Sequence, residues 1–522
     1  MIKYIPLNQN ILQAAVAEIN AGKCLLLFPT RRSKLAALKL YQPNWNFGEH
    51  SFLTMDEWKE SLFVSDQPIL KEEKRTLAFY QSLSRSAKDF FHLNSYFQII
   101  DFAKNFFDFR QELKEELVTD DRILEILEQK QTAGDWQLKT WQMLLSIEED
   151  YRTFLHEHGF ADQLFLRDNH LCSQELSFDR IIVVNQFYFT EFEKQLLTKL
   201  SDKFVILSQL PAARFDEKNL QISSEFNAAD IKPFLPAPVH LHIAADQTEM
   251  IAQLASELTK SASAEIIDFQ FEKQSYAHLL SRQYFGKSTF IGFSESRFYR
   301  FLQTILELEN SLIWEGKPFL ISLQAFLSLL AADDLLAYFL PEKAPRERFR
   351  TYIFGLIDQD FKYLDTEFFQ TKNSEFMPVW QAIYSFLQEV NQIKSIAGMI
   401  DFLRDRLDLS YLLADLANKT KLAETLLQSL ADFASIETCG VVTDWQQIFP
   451  TNTAANLFKL FLDYLKPKKL NPEFSNRKNT FGITSLQDTR NLKFDELFML
   501  NVVEGVLPDS KHAQFLLTEN QR

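Results

Sequence analysis

Uninterrupted apolar runs, bounded by charged or turn-forming residues, recur along the chain. Leu25-Leu26-Leu27-Phe28, Ile181-Ile182-Val183-Val184 and the stretch KFVILSQL each have the pattern of a strand buried on both faces. AEIIDFQF, FGITSL and FDELFMLNVVEGVLP extend the series, the last as a strand ending at Glu504-Gly505. Between these runs the period changes to that of a helix. YFQIIDFAKNFFDFRQELKEEL places Ile99, Phe102, Phe106, Phe109 and Leu113 on one face. WQLKTWQMLLSIEEDYRTFLHEHGF repeats the pattern and stops at Gly159, a residue suited to the left-handed position after a helix. Thr54 with Glu57, and Thr190 with Glu193, have the spacing of capping boxes.

These elements fall into a nested order. Residues 1–65 and 171–235 read as one α/β domain, interrupted by a helical insertion over 66–170. Residues 236–300 and 476–522 read as a second α/β domain, interrupted by a Phe/Leu-rich helical insertion over 301–475. The prolines of FLPAPVHLHIA mark a linker near 230–240, and LKPKKLNPEFSNRKN reads as a polar, basic connector. His240 and His242 would share one face of a half-exposed strand, with no further metal ligands beside them.

A length of 522 residues calls for more than one hydrophobic core. Only 12 glycines against 50 phenylalanines favours a largely helical chain over a disordered one. Cys24, Cys172 and Cys439 stand apart, so no local zinc or iron–sulfur motif forms, and a reduced, cytoplasmic setting is expected. No secretory signal opens the chain, and the apolar region Phe319–Ala332 is too short to span a bilayer and reads as a buried helix. A net charge of −15 argues against a surface that coats DNA generally, while leaving room for a local basic channel.

Four stretches carry a resemblance. LLLFPTRRSKLAALKLY occupies the place of an opening strand and phosphate loop. FDRIIVVNQFYFTEFEKQLL is similar to a helicase segment of the pattern D-x-hhh-D-G-F-x-x-F-T-x-x-Q, matched by Asp179, Phe187, Phe189, Thr190 and Gln195. HLHIAADQTEMIAQLASEL resembles the start of a second sheet domain. GITSLQDTRNLKFDELFMLNVVEGVLPDS resembles T-x-H-x-x-K-G-L-E-F…G-x-x-E-G-x-x-P, with Leu492, Phe494, Glu504, Gly505 and Pro508 in matching places. Together they resemble the AddB/RexB family of ATP-dependent helicase–nuclease components from bacteria, RecC-like relatives of the UvrD-like helicases. The resemblance implies an α/β fold of two RecA-like (P-loop NTPase-like) parallel-sheet domains, each interrupted by a mostly helical insertion, in superfamily-one helicase architecture. It further implies DNA and a UvrD-like (AddA-like) helicase as partners in double-strand-break resection and recombinational repair, with no membrane. A PD-(D/E)XK nuclease domain is expected beyond residue 522, bringing magnesium and, in some relatives, an iron–sulfur cluster. This chain itself would hold no cofactor.

The chemistry at the matched positions is eroded. A phosphate loop needs backbone N–H groups that close around phosphate, a Lys for the β/γ-phosphates and a hydroxyl for magnesium. Pro29-Thr30-Arg31-Arg32-Ser33-Lys34 contains no glycine, and Pro29 lacks an N–H. The acidic pair that would hold magnesium and orient water is Asn185-Gln186, and an amide is no general base. The Lys-Gly-Leu-Glu positions are Arg490-Asn491-Leu492-Lys493. Thr30, Arg31, Arg32, Ser33, Lys34, Asn185, Gln186 and Arg490 are therefore positions of a degenerate nucleotide site, and no catalytic residue is expected.

DNA contact is expected from Arg31, Arg32, Lys34, Lys468, Lys469, Arg477, Lys478, Arg490 and Lys493. Phe187, Phe189 and Trp58 are candidates for base stacking, each with a core position as the alternative. Nuclease-type Asp/Glu-x-Lys tripeptides at Glu57-Lys59, Glu72-Lys74 and Glu112-Lys114 lie in helical patterns, and Asp216-Lys218 in a loop, so none is expected to hold metal. Two alternatives stand beside this reading: an active, divergent ATP-dependent helicase, and a protein-interaction scaffold for a UvrD-like partner.

Overall fold

The computed structural model describes residues 1–19, 22–41, 50–128, 135–166, 177–210, 215–222, 238–261, 264–269, 291–313, 319–359, 361–414, 419–470, 482–503 and 516. Arg477, Lys478, Glu504, Gly505, Pro508 and most of the 230–240 linker lie outside them. The chain divides into two units, Met1–Thr289 with Ser475–Arg522, and Phe290–Phe474.

The first unit is α/β. Strands β1 (Ile2–Tyr4), β2 (Cys24–Phe28), β3 (His50–Thr54), β4 (Arg180–Val184) and β5 (Phe204–Ser208) form one parallel sheet in the order β1-β5-β4-β2-β3. All of β2 and β5 is buried, which is why their sequences are continuous apolar runs. Side-chain alternation sends Leu25, Leu27, Ile181, Val183 and Ile206 to one face with Trp58 and Phe189. Leu26, Phe28, Ile182, Val184 and Leu207 go to the other, where helices α1 (Ile11–Ala17) and α2 (Arg31–Tyr41) supply Leu12, Ala15 and Ala37. Gly22, at φ +112°, leaves space for Asp179, whose carboxylate accepts the Lys23 N–H at 2.8 Å. Asp179 thus fastens the start of β2 to the start of β4. The apolar pattern gives no sign of β1 and β3, both short and only half-buried.

Helix α3 (Met55–Ser61) starts at the Thr54/Glu57 capping box. The chain then leaves the sheet through α4 (Glu72–Ser82), α5 (Arg85–Phe90), α6 (Tyr96–Glu115), α7 (Asp120–Glu128), α8 (Asp135–His158) and α9 (Gln163–Leu166). On α6, Ile99, Phe106, Phe109 and Leu113 are buried and Phe102 half-buried. Gly159 closes α8 at φ +70°. Asp162 ties this block together: its carboxylate takes Arg75 Nε at 2.5 Å and Nη2 at 2.7 Å, the Tyr151 hydroxyl at 2.8 Å and the Leu164 N–H at 2.7 Å. Helix α10 (Glu191–Lys199) returns the chain to the sheet, capped by Thr190 and Glu193.

Two segments between α10 and the helix that starts at Gln247 differ from the sequence expectation. Asp216 lies in a short hairpin, β6 (Phe215–Asp216) with β7 (Gln221–Ile222), where its Oδ1 accepts the N–H groups of Lys218 and Asn219. His240 and His242 sit in an irregular segment rather than a strand, with Leu241 between them 85% exposed. Alternation alone makes no strand without a neighbour to accept its backbone hydrogen bonds. Helix α11 (Gln247–Leu258), capped by Asp246, lays Leu254 and Leu258 on Ile266 of strand β8 (Glu265–Asp268).

The second unit is helical. It contains the short strands β9 (Ile291–Gly292), β10 (Ile321–Ser322), β11 (Tyr363–Leu364) and β12 (Lys469–Leu470), paired as β9–β12 and β10–β11. Its helices are α12 (Arg297–Asn310), α13 (Leu323–Ala331), α14 (Asp333–Phe339), α15 (Lys343–Ile357), α16 (Thr366–Lys372), α17 (Met377–Asn391), α18 (Ile396–Asp405), α19 (Leu409–Leu412), α20 (Lys419–Thr438), α21 (Trp445–Ile448) and α22 (Thr453–Leu465). The expected helix over Phe319–Ala332 begins as β10 and becomes helical at Leu323. Stacked aromatics such as Phe369 and Trp380, 4.6 Å between ring centroids, fill the core.

The chain then re-enters the first unit. Strands β13 (Gly482–Thr484) and β14 (Leu497–Leu500) flank β8 in a parallel three-stranded sheet, β13-β8-β14. β14 stops at Leu500, short of the expected Glu504-Gly505, because Asn501 turns the backbone to φ +57° and donates its side-chain amide to Asp268 at 2.7 Å. Among the described residues, no helix is long and apolar enough to cross a membrane.

Candidate functional site

Strand order reverses between β2 and β4, so the loops after these two strands open onto one crevice. In open parallel sheets that crevice is where ligands bind. It is flanked here by Pro29–Lys34 and by Asn185-Gln186, two of the three segments singled out in the sequence.

At the first loop, polar groups are turned inward. The Thr30 hydroxyl caps α2 by accepting the Ser33 N–H at 3.2 Å, and the buried Ser33 hydroxyl donates to the Thr30 carbonyl at 2.9 Å. The Lys34 N–H donates to the same carbonyl at 3.1 Å. Lys34 Nζ donates to both oxygens of Glu57, at 2.6 and 2.7 Å. Burial would push the Glu57 carboxyl up, but Lys34 and the Thr54 N–H overcome this and hold it below its ordinary value. Lys34 is thus engaged by a carboxylate on α3, and a phosphate would have to displace it. Arg32 forms an ion pair with Glu265 of β8 at 2.7 Å and lies 5.9 Å from the Phe494 ring centroid. Arg31 is exposed at the start of α2.

At the second loop, Asn185 sits at φ +53°. Its N–H donates to the Leu207 carbonyl at 2.7 Å, and its Oδ1 accepts the Gln209 N–H at 3.0 Å. That fixes the amide's orientation, so Nδ2 faces and donates to Asn491 Oδ1 at 2.7 Å. Asn491 is itself left-handed, at φ +66°, just after a 3-10 turn over Gln487–Thr489. The adjoining Leu492 packs on the same core as α1 and α2. Lys493 Nζ donates to the Asn8 carbonyl at 3.0 Å, and Arg490 is exposed. Gln186 points elsewhere and donates to Glu193 at 2.9 Å.

Among the described residues, five of the basic candidates lie in the first unit: Arg31, Arg32, Lys34, Arg490 and Lys493. Lys468 belongs to the helical unit, where its Nζ lies 3.1 Å from the Tyr464 hydroxyl. Lys469 is in β12, its side chain outside the described residues, as are Arg477 and Lys478. Trp58 and Phe189 are core residues, 1% and 0% exposed, so neither stacks on a base; Phe187 is half-buried. Sequence reasoning missed Glu265 and the lysine-binding role of Glu57. The one signal for Glu265 is a charge opening an otherwise apolar strand.

The arrangement offers hydrogen bonds and charge, and the carboxylates beside the two loops, Glu57 and Glu193, are already engaged by Lys34 and by Gln186 and Lys59. Among the described residues, no group of three or more His, Cys, Asp or Glu is placed to hold a metal. No family model matches the chain, and no curated protein matches it.

Proposed function

We propose that the chain is the DNA-binding, non-hydrolysing body of a helicase–nuclease component of the AddB/RexB type. One observation carries the reading: Asn185 and Asn491, 306 residues apart and each in a segment read as an eroded helicase motif, meet by a direct hydrogen bond. Segments that once served a shared nucleotide would be expected to converge in this way. Amides at Asn185, Gln186 and Asn491 and a lysine at Lys493, where the helicase patterns carry acidic or glycine residues, support loss of hydrolysis rather than loss of fold. In this reading a UvrD-like partner supplies ATP-driven translocation, and the two sheets guide one DNA strand toward a nuclease domain during end resection.

Exposed Arg31 and Arg490 are the groups proposed to meet phosphate. Fluorescence anisotropy with a duplex end carrying a single-stranded tail should show binding at low salt that weakens as salt rises. Arg31→Ala with Arg490→Ala should lower the logarithmic salt slope by about 1 to 2, as expected for one or two lost phosphate contacts. Absence of binding at low salt would overturn the DNA-binding reading and favour the scaffold.

A further inference from the structure

We infer that the crevice between the five-stranded and three-stranded sheets is held shut by the protein's own side chains, which take the place of a nucleotide as the ligand that joins the sheets. The inference rests on the proposed loss of nucleotide chemistry.

Among the described residues, four polar or charged contacts cross from one sheet layer to the other at or beside the eroded positions. Asn185, after β4, donates to Asn491. Arg32, on α2, pairs with Glu265 at the start of β8, a residue 8% exposed. The Arg32 guanidinium also faces Phe494, and Lys493 reaches the Asn8 carbonyl beside α1. Leu492 adds an apolar plug against the α1/α2 face of the first sheet. In a nucleotide-driven pair of sheets, phosphate and metal bridge the two layers, and their departure lets the layers part. Here the bridge is covalently part of the chain, so it cannot leave.

Two backbone features show that the latch is built in. Asn185 and Asn491 both have φ in the left-handed region, which asparagine tolerates better than most residues. Each amide is presented by a backbone turn, and Asn185 is further fixed by the Gln209 N–H. The consequence is mechanical. The DNA-facing loops of the two sheets keep one spacing while a partner protein cycles through ATP.

Hydrogen exchange on the full chain tests this. Arg32→Glu should speed amide exchange across 490–494 and 265–268 by about tenfold or more, and Arg32→Glu with Glu265→Arg should restore protection. Asn185→Gly and Asn491→Gly keep the left-handed backbone and delete only the amide; each should loosen the same segments without affecting the interior of α6. Millimolar MgATP should leave the wild-type exchange pattern unchanged. Equal exchange in wild type and the single variants, or failure of the swapped pair to restore protection, would overturn the latch. Protection of 30–34 and 490–494 by MgATP would overturn it too, by showing that a nucleotide still bridges the layers. DNA binding is read separately, so loss of one conclusion does not decide the other.

Discussion

Lys59→Met lowers the stability of the first unit by about 3–5 kcal/mol, the cost typical of removing one partner from a buried charge cluster. Lys59 Nζ lies 3.0 Å from Glu193 and 3.2 Å from Glu115, and all three residues are under 9% exposed. Burial alone would push the Lys59 amine down; Glu193 and Glu115 outweigh it and hold the amine above its ordinary value. Burial pushes the Glu193 carboxyl up, against the opposing pull of Lys59. Removing the ammonium leaves two carboxyls facing each other in the interior. The loss should therefore be largest near pH 8 and shrink toward pH 5, where protonation relieves the repulsion. Chemical denaturation of wild type and variant at both pH values measures it. The cluster joins α3 and α10 of the sheet to α6 of the insertion, so the helical block and the sheet should loosen together.

Glu309→Gln acts in the opposite direction, in the helical unit. Glu309, on α12, is 6% exposed, and burial pushes its carboxyl up to about 8 despite a 3.3 Å hydrogen bond from Asn391. An acid whose pKa is raised on folding holds its proton in the folded state while the unfolded state gives it up. Between the ordinary value of 4.5 and about 8, the unfolded chain thus binds fewer protons, and stability falls as pH rises. At about 1.4 kcal/mol per pH unit the accumulated penalty is on the order of 4–5 kcal/mol by pH 8.5. The neutral amide escapes it. Calorimetry of the full chain should show the variant's helical-unit transition several degrees above wild type at pH 8.5 and close to it at pH 5. Equal shifts at both pH values would mean that Glu309 is not held protonated.

Much of the local structure is legible in the sequence because it depends on neighbours in the chain. The capping boxes at Thr54 and Thr190 need only a hydroxyl and a glutamate three residues on, and both form. β2, β4 and β5 announce themselves through runs that only a doubly covered strand can bury. β3 and the early end of β14 escape, because a half-buried edge strand and a left-handed Asn501 leave little trace in an apolar pattern. The positions of the crevice are legible, and their partners are not. Glu57 reads as a cap, yet nothing local says that its carboxylate also holds Lys34. Glu265 and Asn491 meet Arg32 and Asn185 only after distant segments have folded together, and a single sequence carries no record of such pairs. The stacking candidates Trp58 and Phe189 go to the core for the usual reason: large aromatics next to a sheet bury more apolar surface inside than a binding loop can offer.

The most direct test of the proposed non-hydrolysing, helicase-like role is phosphate release by the purified chain with MgATP and saturating single-stranded DNA. The expected result is release indistinguishable from a no-protein control, unchanged by Lys34→Ala. DNA-stimulated turnover in the wild type that Lys34→Ala abolishes would contradict it, because Lys34 would then be serving phosphate rather than Glu57.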